Sequence, residues 1–340
     1  MNAYLLLDKD YVKTKDALIF MIAGSQHFKD AYISILKYKE GAGAWHDQNT
    51  SYERILKNYT TEDVKKTYEF LDQNPKYIRF DPNTDTLYQV VPYELIERKY
   101  LARERSKEII ENKVHDSLER KAVELVHFLH AKSKVPLSHF GITGSILLNI
   151  HNESFSDIDL VVYGRKCSTS LYRAMKKTHS KDIRFLTDHE ILTRSKKTKR
   201  YKAVSDATIL FHEKRKYHRG YFKNTYFSIS FAPSTSNYID RSTTFKKLGK
   251  IEIEATISET KLFFTPEIYR IKDFRVVFGT FEGHIDEIVS YERNFISQTK
   301  IGERVRVVGL LERVVQNGNI RHRVLLGSQE NNGEDQMYIV

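Results

Sequence analysis

One stretch of the chain, Phe140 to Gly164, constrains the fold more than any other. It reads FGITGSILLNIHNESFSDIDLVVYG, so eleven residues separate a Gly-Ser pair from an Asp-Ile-Asp-Leu segment. Successive side chains of an extended strand point to opposite faces. We therefore expect Asp157 and Asp159 to project together from one face, while the apolar residues between and after them face a core.

Two neighbouring carboxylates repel each other and raise each other's pKa, and a bound cation relieves that repulsion. Oxygen-rich Mg²⁺ sites are the usual solution. A glycine at the start of a helix lets the backbone approach a phosphate closely, and a serine hydroxyl beside it can hold that phosphate. These residues predict metal ligands at Asp157 and Asp159 and nucleotide-binding residues at Gly144 and Ser145. The alternative is a surface turn followed by an edge strand with two solvated aspartates.

The spacing resembles the signature of the DNA polymerase β-like nucleotidyltransferase superfamily. There, Gly-Gly or Gly-Ser precedes two acids with apolar flanks by about ten residues; here the match lies in Gly144, Ser145 and the segment 157–160. The resemblance implies a nucleoside triphosphate (NTP) substrate and one or two Mg²⁺ or Mn²⁺ ions. It also implies that Asp157 and Asp159 are catalytic.

One departure from that pattern concerns a third acid, which active members of the superfamily usually carry on a later strand. The corresponding strand here, predicted from Tyr226 to Phe231, offers Ser228 and Ser230 instead. Asp182 is the best replacement by its order along the chain. Further candidates, more typical of ordinary surface charges, are Asp206, Glu252 and Glu254.

Almost the whole chain also resembles a group of uncharacterised archaeal proteins that are known only to contain a polymerase β-like nucleotidyltransferase domain. The resemblance is carried by seven segments: 16–27, 35–39, 136–148, 156–164, 262–269, 288–295 and 302–312. That group has no assigned reaction, so this resemblance implies a fold more than an activity.

Positive charge is concentrated directly after the motif. The chain has a formal net charge of +11, and the segment 165–250, here called the basic segment, holds 22 Lys and Arg against 6 Asp and Glu. Basic residues neutralise phosphates and aromatic rings stack on bases, which favours single-stranded or irregular RNA, such as a tRNA-like molecule, as a partner. The alternative is a solvated basic loop. The predicted nucleic-acid-binding residues are Lys196, Lys197, Lys199, Arg200, Lys214, Arg215, Lys216 and Arg219.

The remaining composition points to a cytoplasmic protein. A lone cysteine, Cys167, cannot form an internal disulfide, and no spacing of Cys and His is typical of zinc. No apolar run is long enough to span a membrane, and the N-terminus lacks the features of a signal peptide. We expect no membrane partner.

Patterns along the chain predict an α+β protein with several domains. A small N-terminal α/β domain is expected over 1–92 and a helical connector over 93–134, with an apolar stripe from Leu118 to Leu129. A polymerase β-like palm follows over 135–235 and includes the densest runs of the basic segment, 194–202 and 214–219. A small C-terminal β-barrel, possibly OB-like, is expected over 249–340, with a hairpin turn at Gln316–Asn319.

Two functions of different classes fit these patterns. The first is an enzyme that transfers a nucleoside monophosphate from an NTP to an RNA end. The second is a catalytically silent nucleic-acid-binding protein that has kept the fold. Transfer to a protein or a small molecule is a weaker third possibility, because the basic segment favours RNA.

Overall fold

The computed structural model describes residues 5–59, 61–112, 116–198, 204–292 and 295–340. The chain forms two compact units, and each is built from three separate stretches of sequence. The first unit comprises Met1–Lys57, Gln89–Leu186 and Tyr217–Ile239; the second comprises Asn58–Tyr88, Thr187–Lys216 and Asp240–Val340. Helices and several sheets occur together, which confirms a multi-domain protein of mixed α and β structure.

Seven α-helices lie within the described residues. They are α1 Thr61–Leu71, α2 Ala102–Glu111, α3 Ser117–Ser133, α4 Gly144–Leu148, α5 Arg165–Lys176, α6 Asp188–Thr198 and α7 Asp206–Glu213. The predicted apolar stripe of α3 is buried, from Leu118 through Ala122 and Leu125 to Leu129. Asp116 caps this helix by accepting hydrogen bonds from the backbone N–H groups of Leu118 and Glu119. No helix of these ranges combines the length and the apolar character that crossing a membrane requires.

Twenty strands complete the described structure. They are β1 Tyr11–Thr14, β2 Leu18–Ile22, β3 Gln26–His27, β4 Ala31–His46, β5 Ser51–Arg54, β6 Ile78–Asp81, β7 Thr86–Pro92, β8 Ile96–Tyr100, β9 Phe140–Thr143, β10 Ile158–Tyr163, β11 Ile183–Arg184, β12 Arg219–Phe222, β13 Thr225–Ala232, β14 Asn237–Tyr238, β15 Thr243–Lys261, β16 Glu267–Phe278, β17 Glu287–Ser290, β18 Arg304–Gln316, β19 Asn319–Leu326 and β20 Gln336–Ile339.

The N-terminal sheet of the first unit is antiparallel, in the order β7-β4-β2-β1-β8, with β5 paired to β4. The helical stretch expected from Tyr93 begins at Ala102 instead, because Ile96–Tyr100 forms β8 and pairs with β1. This strand is at the edge of the sheet, where its charged side chains can remain in water.

The central sheet of the first unit has the order β11-β12-β13-β10-β9. Strands β10 and β13 are parallel, whereas the other neighbours are antiparallel. Strand β10 is apolar on both faces after Asp159, and its side chains from Leu160 to Tyr163 are buried. Because the rest of β10 is covered on both faces, charged side chains are accommodated only at its N-terminal end. Asp159 lies there, and Asp157 directly precedes the strand.

The C-terminal sheet of the second unit has the order β15-β16-β17-β19-β18-β20, and β15 also pairs with β18. The sheet therefore curls back on itself around an apolar core that includes Ile253, Tyr269, Val307 and Val324. The predicted hairpin turn between β18 and β19 is confirmed, and Asn317 and Gly318 both have the positive φ that such a turn needs.

Candidate functional site

Four polar side chains form a row across the central sheet. Asp159 of β10 is paired with Thr143 of β9 on one side and with Ser228 of β13 on the other. Ser228 is in turn paired with Arg219 of β12. Directly paired residues project from the same face of a sheet. The side chains of Thr143, Asp159, Ser228 and Arg219 therefore project from the same face of the sheet.

Gly144 packs against the carboxylate of this row. A Cβ atom at this position would lie 2.7 Å from Oδ2 of Asp159, and the backbone φ is +67°. Both the contact and the conformation require glycine. Helix α4 begins here and ends after one turn, where Asn149 adopts a left-handed conformation and the Ile150 N–H donates to the carbonyl of Ser145. The local sequence thus brings the Gly-Ser pair onto the Asp-x-Asp strand.

Asp157 and Asp159 interact strongly, as the alternation of the strand predicts. The negative charge of Asp159, followed by the loss of hydration, raises the pKa of Asp157 to about 6. Asp157 remains accessible to solvent and Asp159 is half-buried. We refer to the two aspartates as the carboxylate pair.

The chemistry of the carboxylate pair fits a divalent metal ion. Carboxylate oxygens are the ligands that Mg²⁺ and Mn²⁺ prefer, and the raised pKa of Asp157 reflects a repulsion that such an ion would relieve. The neighbouring strand contributes a hydroxyl and not a third carboxylate. The Ser228 Oγ donates a hydrogen bond of 2.5 Å to Oδ1 of Asp159.

The other acids considered for the third position are placed elsewhere. Asp182 precedes β11, and the order of the sheet puts two strands between β11 and β10. At the spacing of neighbouring strands, that separation is about 14 Å. In the second unit, Asp206 lies 3.8 Å from the ammonium of Lys196, and Glu252 and Glu254 are paired with arginines. None of these acids replaces Ser228 beside Asp159.

The predicted nucleic-acid-binding residues fall into three settings. Lys196 and Lys197 are exposed in the last turn of α6, whereas Lys199 and Arg200 lie outside the described residues. Lys214 is exposed and forms an ion pair of 2.8 Å with Asp188.

The remaining three basic residues are more enclosed. Arg215 binds both carboxylate oxygens of Glu303, at 2.7 and 2.8 Å. The ammonium of Lys216 is buried and lies 2.9 Å from Glu213. Arg219 is nearly buried in the row of the central sheet. The exposed part of the predicted RNA surface is therefore narrower than the sequence indicates.

Two cations from the N-terminal sheet act on Asp157, and neither belongs to the Gly-Ser and Asp-x-Asp motif. The charges of Arg54 and Lys37 both lower the pKa of Asp157, against the larger effects that raise it. Lys37 is only 2% exposed and lies in the apolar segment YISILKY of β4. A lysine buried in an apolar strand requires a partner for its charge, which is a signal the sequence does carry.

A pair of aromatic rings lies beside these cations. The ring centroids of Trp45 and Phe155 are 5.8 Å apart in an edge-to-face arrangement, and the Arg54 guanidinium lies 5.7 Å from the Trp45 ring. Strand β4 reaches this position through a bulge, in which Gly43 lies so close to the Tyr52 backbone that no Cβ would fit. Phe155 precedes Asp157 by two residues and is 52% exposed. We call Trp45 and Phe155 the aromatic pair.

A second group of possible metal ligands lies at the start of α3. Asp116, Glu119 and His151 place ligand atoms within 4.8 Å of one another. Most of their polar atoms have partners within the protein, since Asp116 caps the helix and lies 2.6 Å from Nε2 of His151, and Glu119 pairs with Arg105; Nδ1 of His151 is buried and has no hydrogen-bond partner among the described residues. Their arrangement explains the beginning of the helix without a metal ion.

Comparison with known proteins gives one informative similarity. The chain is 28% identical over 332 residues to the uncharacterised protein MJ1086 of Methanocaldococcus jannaschii, covering 94% of this chain and 95% of that protein. The similarity extends over both units and agrees with an archaeal-like protein. No protein-family model and no solved structure matches the chain.

Proposed function

We propose that the protein is a metal-dependent nucleotidyltransferase whose central sheet is a polymerase β-like palm. The observation that carries the proposal is the contact between Gly144 and Asp159, which joins a glycine-led helix to the start of β10, where Asp159 lies in the strand and Asp157 directly precedes it. The repulsion between Asp157 and Asp159 lowers the stability of the fold, so the pair does not serve folding. A destabilising acid pair packed against a glycine turn is typical of a functional site.

Each residue of the site then has a defined task. Gly144 and Ser145 position the phosphates of an NTP, while Asp157 and Asp159 hold Mg²⁺ or Mn²⁺. The bound metal supplies charge neutralisation for the triphosphate and for the departing pyrophosphate. Ser228 fixes the orientation of the Asp159 carboxylate through its hydrogen bond. Catalysis of this kind consists mainly of positioning and electrostatic stabilisation, so it requires few reactive side chains.

An RNA end is the acceptor that the charge distribution favours. Lys196 and Lys197 are exposed on α6, and Lys199 and Arg200 continue the same run of sequence. Exposed cations of this kind bind phosphates without reading the sequence. A tRNA-like acceptor meets the requirement for a structured RNA with a free end.

A catalytically silent, nucleic-acid-binding protein is the second candidate. The observation that favours it is the hydroxyl of Ser228 at the position beside Asp159 where the superfamily resemblance implies an acid. With two carboxylates, one metal ion can be held, but a second would have fewer ligands. This candidate retains the basic surface and predicts RNA binding without transfer.

Labelled NTPs, Mn²⁺ and total archaeal RNA test the proposal directly. We expect label on RNA with the wild-type protein and a loss of about 100-fold or more in the Asp157→Asn, Asp159→Asn variant, because two charges that stabilise the reacting phosphates are removed. The matched control is Glu252→Gln, Glu254→Gln, which removes two acids in the same alternation from β15 and should keep full activity.

Three results would change the conclusion. Equal labelling by the aspartate variant would place the reaction elsewhere. Label on protein with none on RNA would show that the acceptor is a protein and not an RNA. Absence of label under all conditions, together with RNA binding that weakens steeply with salt, would establish the silent binding protein.

A further inference from the structure

The aromatic pair has features of a ligand-binding surface. Trp45 is the single tryptophan of the chain, and it is half-exposed beside an exposed Phe155. Tyr38 lies behind Trp45 with a centroid distance of 5.8 Å, so the indole is held in position from the sheet side. Exposed aromatic rings supported by packed rings are typical of sites that stack a planar ligand.

The charges next to the aromatic pair are of the sign that a polyphosphate needs. The Nε of Arg54 donates a hydrogen bond of 2.8 Å to the Leu56 carbonyl, which fixes the guanidinium beside Trp45. Lys37 lies next to Tyr38, the residue of β4 that is paired with Arg54 of β5. Two cations and two aromatic rings are thus gathered where two neighbouring strands meet the loop that leads to Asp157.

We propose that the aromatic pair binds the base of the substrate nucleotide, and that Arg54 binds its phosphates between this base and the carboxylate pair, while the buried charge of Lys37 adds to the positive potential there. The occupant is a nucleoside triphosphate, because it combines a planar base for the aromatic pair with a chain of negative charges that can extend toward the carboxylate pair. The inference rests on the proposed function for the position of the phosphates. It assigns substrate recognition to β4 and β5, which lie outside the central sheet.

The order of the parts along the chain agrees with this occupant. Phe155, two residues before Asp157, lies in a loop closed by hydrogen bonds from the N–H groups of Phe155 and Ser156 to the carbonyl of Asn152. A base that contacts Phe155 therefore has its phosphates within reach of the strand that carries the carboxylates. Stacking on a ring tolerates any base, so the site selects for a nucleotide more than for one particular base.

Intrinsic fluorescence provides the test, since Trp45 is the only tryptophan. We expect titration with ATP and Mg²⁺ to quench the emission of the wild-type protein, while inorganic tripolyphosphate, which has no base, binds with much smaller quenching. Phe155→Ala and Arg54→Gln should each weaken ATP binding about tenfold or more, because they remove a stacking partner and a phosphate ligand.

Matched controls separate local effects from general ones. Phe80→Ala removes an equally exposed phenylalanine from the second unit, and Arg98→Gln removes an exposed arginine that lies 4.8 Å from the Tyr100 ring. Both controls should bind ATP as the wild type does. Far-UV circular dichroism and the thermal midpoint confirm that Phe155→Ala and Arg54→Gln are folded, as expected for residues that reach the surface.

Failure of this inference can be distinguished from failure of the proposed function. If the protein transfers label but Phe155→Ala and Arg54→Gln keep the wild-type KM for the NTP, the site assigned to the base is wrong and the enzyme stands. If ATP quenches Trp45 and the variants lose binding, but no acceptor is labelled, the binding site stands and the transferase does not. Wild-type ATP affinity in both variants, with or without transfer, overturns the inference.

Discussion

Two acid pairs of the molecule have the same acid-x-acid spacing, Glu252 and Glu254 within β15 and Asp157 and Asp159 at the start of β10, but their surroundings differ. In the second unit, Glu252 and Glu254 of β15 each meet arginines, with Arg306 at 2.5 Å and Arg275 at 3.0 Å. Hydrogen bonding to Arg275 lowers the pKa of Glu254. In the first unit, the charge of Asp159 raises the pKa of Asp157.

The difference lies in how the negative charge of each acid pair is compensated. The glutamates are neutralised by the protein itself, so nothing remains for a ligand to supply. The carboxylate pair receives a hydroxyl from Ser228 and only partial compensation from Arg54 and Lys37. Spacing along a strand therefore does not distinguish the two; the residues on neighbouring strands do.

Metal binding should give the largest contrast between the two acid pairs. Mn²⁺ at about 100 times its Kd should stabilise the wild-type protein by about 2.7 kcal/mol relative to EDTA, because it binds only the folded site. The Asp157→Asn, Asp159→Asn variant should lose this stabilisation, and Glu252→Gln, Glu254→Gln should retain it. Thermal melts of the three proteins measure the effect. Equal shifts of the thermal midpoint by Mn²⁺ in all three would show that the carboxylate pair is not the Mn²⁺ site.

The pH dependence of that stabilisation is the next largest effect. With a pKa of about 6, Asp157 is ionised near pH 7 and mostly protonated near pH 5, so Mn²⁺ affinity should fall as the pH decreases. The expected loss approaches about tenfold per pH unit below the pKa. Calorimetric titrations at several pH values provide the measurement. An affinity that stays constant down to about pH 5 would contradict the assigned ligands.

Neutral substitutions in the absence of metal should give small effects of opposite sign. A raised carboxyl pKa means that ionisation costs stability as the pH rises through about 6, so Asp157→Asn should raise the thermal midpoint near pH 7.5 in EDTA by roughly 1–3 °C. A lowered pKa means the reverse, so Glu254→Gln should lower it slightly. Scanning calorimetry measures the thermal midpoint of each variant. Shifts of the same sign would show that the two acid pairs do not differ in how their charge affects stability.

Local patterns were sufficient to predict much of the architecture. The stripe of α3, the hairpin at Asn317-Gly318 and the alternation in β10 all depend on residues close in sequence. The polar segment of β8 has a pattern that predicts helix, because an edge strand exposes charged residues as a surface helix does.

The composition of the site depends on contacts that no local pattern contains. Ser228 contacts Asp159 across a parallel strand pair, although the two residues are 69 positions apart in the sequence, and tertiary packing sets the register of such a pair. Arg54 and Lys37 reach Asp157 from a different sheet of the first unit. The motif therefore predicted the carboxylates but not the groups that surround them.

The three-stretch construction of each unit has a consequence for the newly made chain. During synthesis, β10 leaves the ribosome well before β13 exists, and the first unit can be completed only after Ile239 has emerged. At that stage Asn58–Tyr88 and Thr187–Lys216 have been synthesised, but the third stretch of the second unit, Asp240–Val340, has not. Cleavage at one position of the chain cannot release either unit intact. The two units therefore cannot be exchanged or inherited separately, as domains that follow one another in the sequence can.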